Sequence, residues 1–154
     1  MAVPLKLLER GESQIIALAS NDISVLPGST TSDFRIKLPV TLQFPGGGED
    51  WIVCLCDAVF DHPGNTAVYV STNIIQGRID GSQQTDVIAR LPSVSVATQS
   101  YAWEVVTSLP QWIPLARKDV SEIEIQLTDK TGALLPVGVN PTTVTLMIRR
   151  ATLR

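Results

Sequence analysis

The chain has 154 residues, enough for one domain with its own core and too few for two ordinary ones. A net charge of −3 gives no general attraction for nucleic acid, and no stretch approaches the ~20 apolar residues of a membrane span. Hydrophobic residues make up 44% and charged ones only 18%, so either apolar surface is buried against other subunits or the core is unusually well filled.

Residues 1–12 read as an N-terminal arm. Met1-Ala2-Val3-Pro4-Leu5-Lys6 runs into Glu9, Arg10 and Glu12 before any apolar run, which is not the pattern of a secretory signal. Synthesis in the cytosol without a signal peptide is therefore expected. Leu5 to Arg10 is the best helical candidate and is too short to stand alone.

From Ser13 to Arg150 the chain reads as eight β-rich runs separated by turn residues. The first spans Ser13 to Ser20. In the second, Phe34 to Phe44, the residues Phe34, Ile36 and Leu38 alternate with Arg35 and Lys37, and Pro39 predicts a bend or bulge. The third, Trp51 to Phe60, is apolar on both faces. Strict alternation puts Trp51, Val53, Leu55 and Val59 on one side, with Ile52, Cys54, Cys56 and Phe60 on the other, and predicts cover on both.

The fourth run is Ala67 to Ile75. Gln76 to Gln84, holding Gly77 and Gly81, reads as a loop. The fifth and sixth are Asp86 to Val96 and Tyr101 to Ser108. A proline-marked connection around Trp112 follows. The seventh, Ser121 to Thr128, alternates Ile123, Ile125 and Leu127 with Glu122, Glu124 and Gln126. The eighth is Thr142 to Arg150, and residues 151–154 form a tail. Eight strands without helices between them predict an all-β domain, either a two-sheet sandwich or a barrel; the expected form over residues 13–150 is a single eight-stranded jelly-roll sandwich of two four-stranded antiparallel sheets. An immunoglobulin-like sandwich fits less well, because its Cys and Trp spacings are absent.

The residues do not assemble into a catalytic site. His62 is the only histidine and sits in the turn His62-Pro63-Gly64-Asn65, so neither a triad nor a histidine-rich metal site can be built. Cys54 and Cys56, two apart on a strand, lie at the limit for a disulfide and lack partners for zinc, so they read as small buried hydrophobes. Glu122 and Glu124 read as a solvated strand face. Gly46-Gly47-Gly48 reads as a turn without the context of a phosphate loop. The expectation is a protein that is not an enzyme and needs no cofactor or metal.

Contact residues are the remaining candidates. Trp112 and Ile113 lie between Pro110 and Pro114, where they either cover the domain's own core or anchor a subunit interface. Asp57 and Asp61 flank a strand end, where they cap a turn or meet a partner. Arg149, Arg150 and Arg154 form a small basic cluster that can touch phosphate but more often solvates a terminus. No specific nucleic-acid binding is expected.

Several segments, taken in order, resemble the minor capsid (penton) proteins of Polinton/Maverick-type elements, adintoviruses and polinton-like viruses. They are Ser32-Asp33-Phe34-Arg35-Ile36-Lys37-Leu38-Pro39, Trp51-Ile52-Val53-Cys54-Leu55 and Val68-Tyr69-Val70-Ser71-Thr72-Asn73-Ile74-Ile75. Next come Asp80-Gly81-Ser82, Ala89-Arg90-Leu91-Pro92 and Ile123-Glu124-Ile125-Gln126-Leu127-Thr128-Asp129-Lys130-Thr131-Gly132. Met147-Ile148-Arg149-Arg150 closes the series. The resemblance implies a virion protein, a single jelly roll forming homopentamers at icosahedral vertices. Its partners would be a double-jelly-roll major capsid protein and other minor capsid proteins. No loop carries a large insertion, which argues against a receptor-binding or spike role. The alternatives are a carbohydrate- or peptide-binding jelly-roll module, or a cementing protein between capsomers.

Overall fold

The computed structural model describes residues 5–7, 13–44, 50–61, 67–75, 78–80, 83–91, 102–106, 111–136 and 140–151. Twelve strands are defined among them: β1 Leu5–Leu7, β2 Ser13–Ala19, β3 Asp33–Gln43, β4 Trp51–Asp61, β5 Val68–Thr72 and β6 Arg78–Asp80, then β7 Gln83–Thr85, β8 Val87–Leu91, β9 Ala102–Val106, β10 Ile113–Pro114, β11 Asp119–Thr128 and β12 Thr143–Arg150.

The first sheet runs β1-β3-β11-β5-β8. The second runs β10-β4-β12-β2, with β9 also on β4. β9 lies opposite Asp57–Asp61 and β10 opposite Ile52–Val53, so the two are one interrupted strand along the same side of β4. Setting aside β1 and the β6–β7 hairpin, eight strands remain in two antiparallel sheets of four. Counted along the chain, their orders are 2-7-4-5 and 1-8-3-6, which is the jelly-roll arrangement.

The core lies between the sheets and follows the alternation of each strand. Phe34, Ile36 and Leu38 of β3 meet Ile123, Ile125 and Leu127 of β11 in one layer; Val144, Leu146 and Ile148 of β12 and Ile16 and Leu18 of β2 form the other. Trp51 is fully buried, and its ring tilts at 55° against Phe44 at 5.4 Å, fastening the end of β3 to the start of β4.

Two details bear on simple alternation. In β4 the register with β12 slips between Leu55 and Asp57, leaving Cys56 as the extra residue of a bulge. The bulge turns Ala58 and Phe60 into the core beside Trp51, Val53 and Leu55, and turns Val59 outward, which corrects the strict alternation expected there. β3 passes through Pro39 without changing sides: Leu38 and Leu42 both face the core, Pro39 is exposed, and the irregularity appears in the ladder with β11 between Val120 and Glu122.

Gln76 to Gln84, expected as loop, contains β6 and most of β7, which pair antiparallel with each other. The arm, read as at most a stub of helix, contributes β1, which pairs in parallel with Thr41–Gln43 at the sheet edge.

The turns are built from side chains. β5 stops at Thr72, but the Asn73 amide continues its ladder: its Oδ1 accepts from Glu124 N at 2.9 Å and its Nδ2 donates to Glu122 O at 3.4 Å. After β11, the Asp129 carboxylate accepts from Thr131 N, Thr131 Oγ1 and Ala133 N, and Gly132 takes the positive φ of 88° that closes the turn. The hydroxyl and amide of Thr131 hold the Asp129 carboxyl below its ordinary value of 3.8.

Candidate interaction surface

The outer face of the second sheet gathers four of the six residues singled out in the sequence. Four rows cross it: Ser13–Arg149–Ile52–Pro114, Ile15–Met147–Cys54, Ala17–Thr145–Asp57 and Ala19–Thr143–Val59. The second row is apolar from Ile15 through Met147 to Cys54, and extending the β10 register by one residue adds Trp112 to it.

Ile15 is 58% exposed and Met147 half-buried, whereas Cys54 is only 1% exposed. The Arg149 guanidinium lies 4.1 Å above the Trp112 ring. Burial, reinforced by neighbouring Cys56, pushes the Cys54 thiol up to about 12. Both cysteines are free; Cys54 is buried as expected, while Cys56 is half-buried.

The segment around Trp112 divides its work. Ile113 is buried in the core opposite Val53, and Trp112 stays half-buried on the outer face with Arg149. Residues 111–114 line a shallow hollow of about 360 Å³. Its described lining holds no Asp or Asn.

Asp57 and Asp61 lie on the same face but toward its other end. Asp57 is four residues along β4 from Val53, roughly 13 Å away at the strand rise, and Asp61 is farther still. Asp61 is engaged within the chain, accepting from Asn140 N at 2.9 Å and from Asn140 Nδ2 at 3.2 Å. It secures the segment entering β12, which is its turn-capping reading. The six residues therefore form two separate groups.

The outer face of the first sheet is different. Asp33, Arg35 and Lys37 of β3 stand opposite Gln126, Glu124 and Glu122 of β11. Arg35 Nε meets Glu124 Oε2 at 2.9 Å, and Arg90 Nε donates to Tyr69 Oη at 3.2 Å. Glu122 and Glu124 thus form the solvated strand face that their alternation indicates. Partial burial and then Glu124 raise the Asp33 carboxyl above its ordinary value of 3.8.

Two features escaped sequence reasoning. Ile23 is fully exposed in the turn after β2, although its setting, Asn21-Asp22 before and Ser24 after, marks a turn that cannot bury it. A cleft of about 320 Å³ opens between the edge of β2, which pairs on that side with no strand among the described residues, and the Ile36–Leu42 stretch of β3; its walls include Ile16, Leu18, Leu38 and Val40, with Asp22 and Lys37 at hand. No local signal marks such a cleft, because it arises where strands of two different sheets come together.

His62, the Gly46–Gly48 turn and Arg154 lie outside the described residues, as does the Trp103 side chain. Among the described residues there is no group of three or more His, Cys, Asp or Glu placed to hold a metal ion, and no helix long and apolar enough to cross a membrane. A scan against protein-family models finds no match to this chain, and a search of curated proteins finds none either.

Proposed function

We propose that this chain is a structural subunit of a viral shell, a penton-type minor capsid protein. In this reading it associates with itself in rings of five at icosahedral vertices and contacts a double-jelly-roll major capsid protein. It acts by packing, without catalysis or a cofactor, and its place is the virion. The observation that carries the proposal is the apolar row Ile15–Met147–Cys54 across the outward face of a jelly-roll sheet, in a chain only 18% charged. A water-facing sheet normally alternates apolar-in with polar-out, and this face departs from that pattern. Rings of identical subunits form through heterologous contacts that close, and such contacts need apolar area of this kind.

The test is the mass of the purified protein by light scattering across a range of concentrations. A closed pentamer is expected. A monomer at every concentration overturns self-association.

A second reading is a peptide-binding module. It is favoured by the apolar cleft beside β2, whose far edge pairs with no strand among the described residues. An extended peptide could add there as a further strand. A monomer that captures extended apolar peptides in the same measurements would establish it.

A further inference from the structure

We propose that the end of the sandwich carrying Arg117, Lys118, Arg149 and Arg150 binds the phosphate backbone of single-stranded nucleic acid, with Trp112 as a stacking surface beside it. The inference goes beyond the shell reading and does not depend on it.

Register brings the four cations together. Arg150 pairs with Trp51 and Arg149 with Ile52 on one side of β4, while Leu115 N donates to Trp51 O on the other. The chain then crosses to the first sheet over residues 116–118, where Lys118 O accepts from Phe44 N and Asp119 pairs with Gln43. Stacked sheets lie about 10 Å apart, so this crossing sets Arg117 and Lys118 beside the end of β12.

Charge is sorted between the two ends. Asp22, Asp33, Asp61 and Asp129 all lie at the opposite end, near the starts of β3 and β12 and the ends of β2, β4 and β11. Asp50 and Asp119 are acids at the basic end. Among the described residues none of the four cations has a carboxylate within ion-pair distance, in contrast to Arg35 on Glu124. Arg117, Lys118 and Arg149 are exposed and Arg150 is half-buried.

Trp112 adds a second kind of contact. It is half-buried with Arg149 at 4.1 Å from its ring, and an aromatic ring beside a guanidinium is the combination on which unpaired bases stack. A net charge of −3 confines the attraction to this end, so binding is short-ranged and sensitive to salt.

The test is fluorescence anisotropy with a labelled oligothymidylate of twenty nucleotides. Four phosphate contacts on a single strand predict a log–log salt slope near −3, a loss of roughly 50-fold between 50 and 200 mM salt. The double variant Arg117→Glu/Lys118→Glu, on exposed positions, is expected to lose at least about tenfold in affinity and to flatten the slope by about half. Trp112→Leu is expected to weaken single-strand binding more than duplex binding, and Lys130→Glu at the opposite end to change neither.

Three results would overturn the proposal: no binding at 50 mM salt, unchanged binding by the folded double variant, or binding to phosphatidylserine vesicles with none to the oligonucleotide. If the double variant misfolds, Arg149→Gln and Arg150→Gln read the same slope.

Discussion

The two outward faces of this sandwich are built on the same inward pattern and differ in what they present. On the first sheet, Asp33, Arg35 and Lys37 face Gln126, Glu124 and Glu122 in a ladder that satisfies itself in water. On the second, the corresponding positions are Ile15, Ala17, Met147, Thr145, Ile52 and Cys54, with Arg149 near one end and Asp57 and Asp61 toward the other. Core packing is indifferent to that choice. The faces therefore report on what lies outside the fold: solvent in one case and, on the proposed reading, a neighbouring subunit in the other.

The largest effect should come from charge placed inside that comparison. Val53 is wholly buried, and Val53→Asp is expected to cost more than about 4 kcal/mol and abolish soluble folded protein. Cys54→Asp, one residue along on the outward face but 1% exposed, should cost roughly 2–3 kcal/mol. Lys37→Gln on the polar face should stay within about 0.5 kcal/mol. Denaturant melts order the three, and wild-type stability in Cys54→Asp would show that the second face has no real cover.

The next effect is on assembly. Ile15→Lys with Met147→Lys charges the apolar row without touching the core. The expected outcome is a folded monomer in place of the ring proposed for the wild type, read by light scattering and circular dichroism. A ring that survives both substitutions would move the contact to another surface.

A smaller effect tests the polar face. The Asp33 carboxyl titrates above its ordinary value of 3.8, so its ionised form is disfavoured in the folded chain at neutral pH. That penalty is released as pH falls through the raised value. Asp33→Asn should therefore melt higher than wild type at pH 7, and the advantage should vanish at pH well below 3.8. An equal melting temperature at pH 7 would contradict the raised titration.

The smallest effect is chemical. With its thiol pushed up to about 12 and only 1% exposed, Cys54 should resist iodoacetamide at neutral pH, while half-buried Cys56 reacts first. Mass spectrometry after a short exposure should find one modification, located on Cys56.

Much of the fold was legible because alternation is a local property. Phe34, Ile36 and Leu38, or Ile123, Ile125 and Leu127, declare their inward face without any partner in view. The bulge at Cys56 was not legible, since it is defined by how β4 meets β12, and a single extra residue reversed the sides of Val59 and Phe60. β10 was hidden for a similar reason: two residues between prolines carry no period, and only their pairing with Val53 and Ile52 makes them a strand. The surface candidates fared unevenly. Trp112 and Arg149 meet because β10 and β12 flank the same strand, a relation no spacing in the chain announces. Asp61 found its partner in Asn140, which is farther away still in sequence.

The central place of β12 has a consequence for how the domain comes into being. β12 lies between β4 and β2, yet it is the last strand of the sandwich along the chain. At synthesis rates of about 5–20 residues per second, roughly 4 to 18 s separate the completion of β4 from that of β12. Throughout that interval β2 and the β12-facing edge of β4 have no strand to close on, and their apolar residues lack a finished core. The N-terminal half cannot commit to the native topology early, and long-range pairing of this kind folds slowly. On the proposed reading, in which the chain associates with its own kind, it is most open to wrong association before this strand arrives, and the order of synthesis then sets when self-recognition becomes safe.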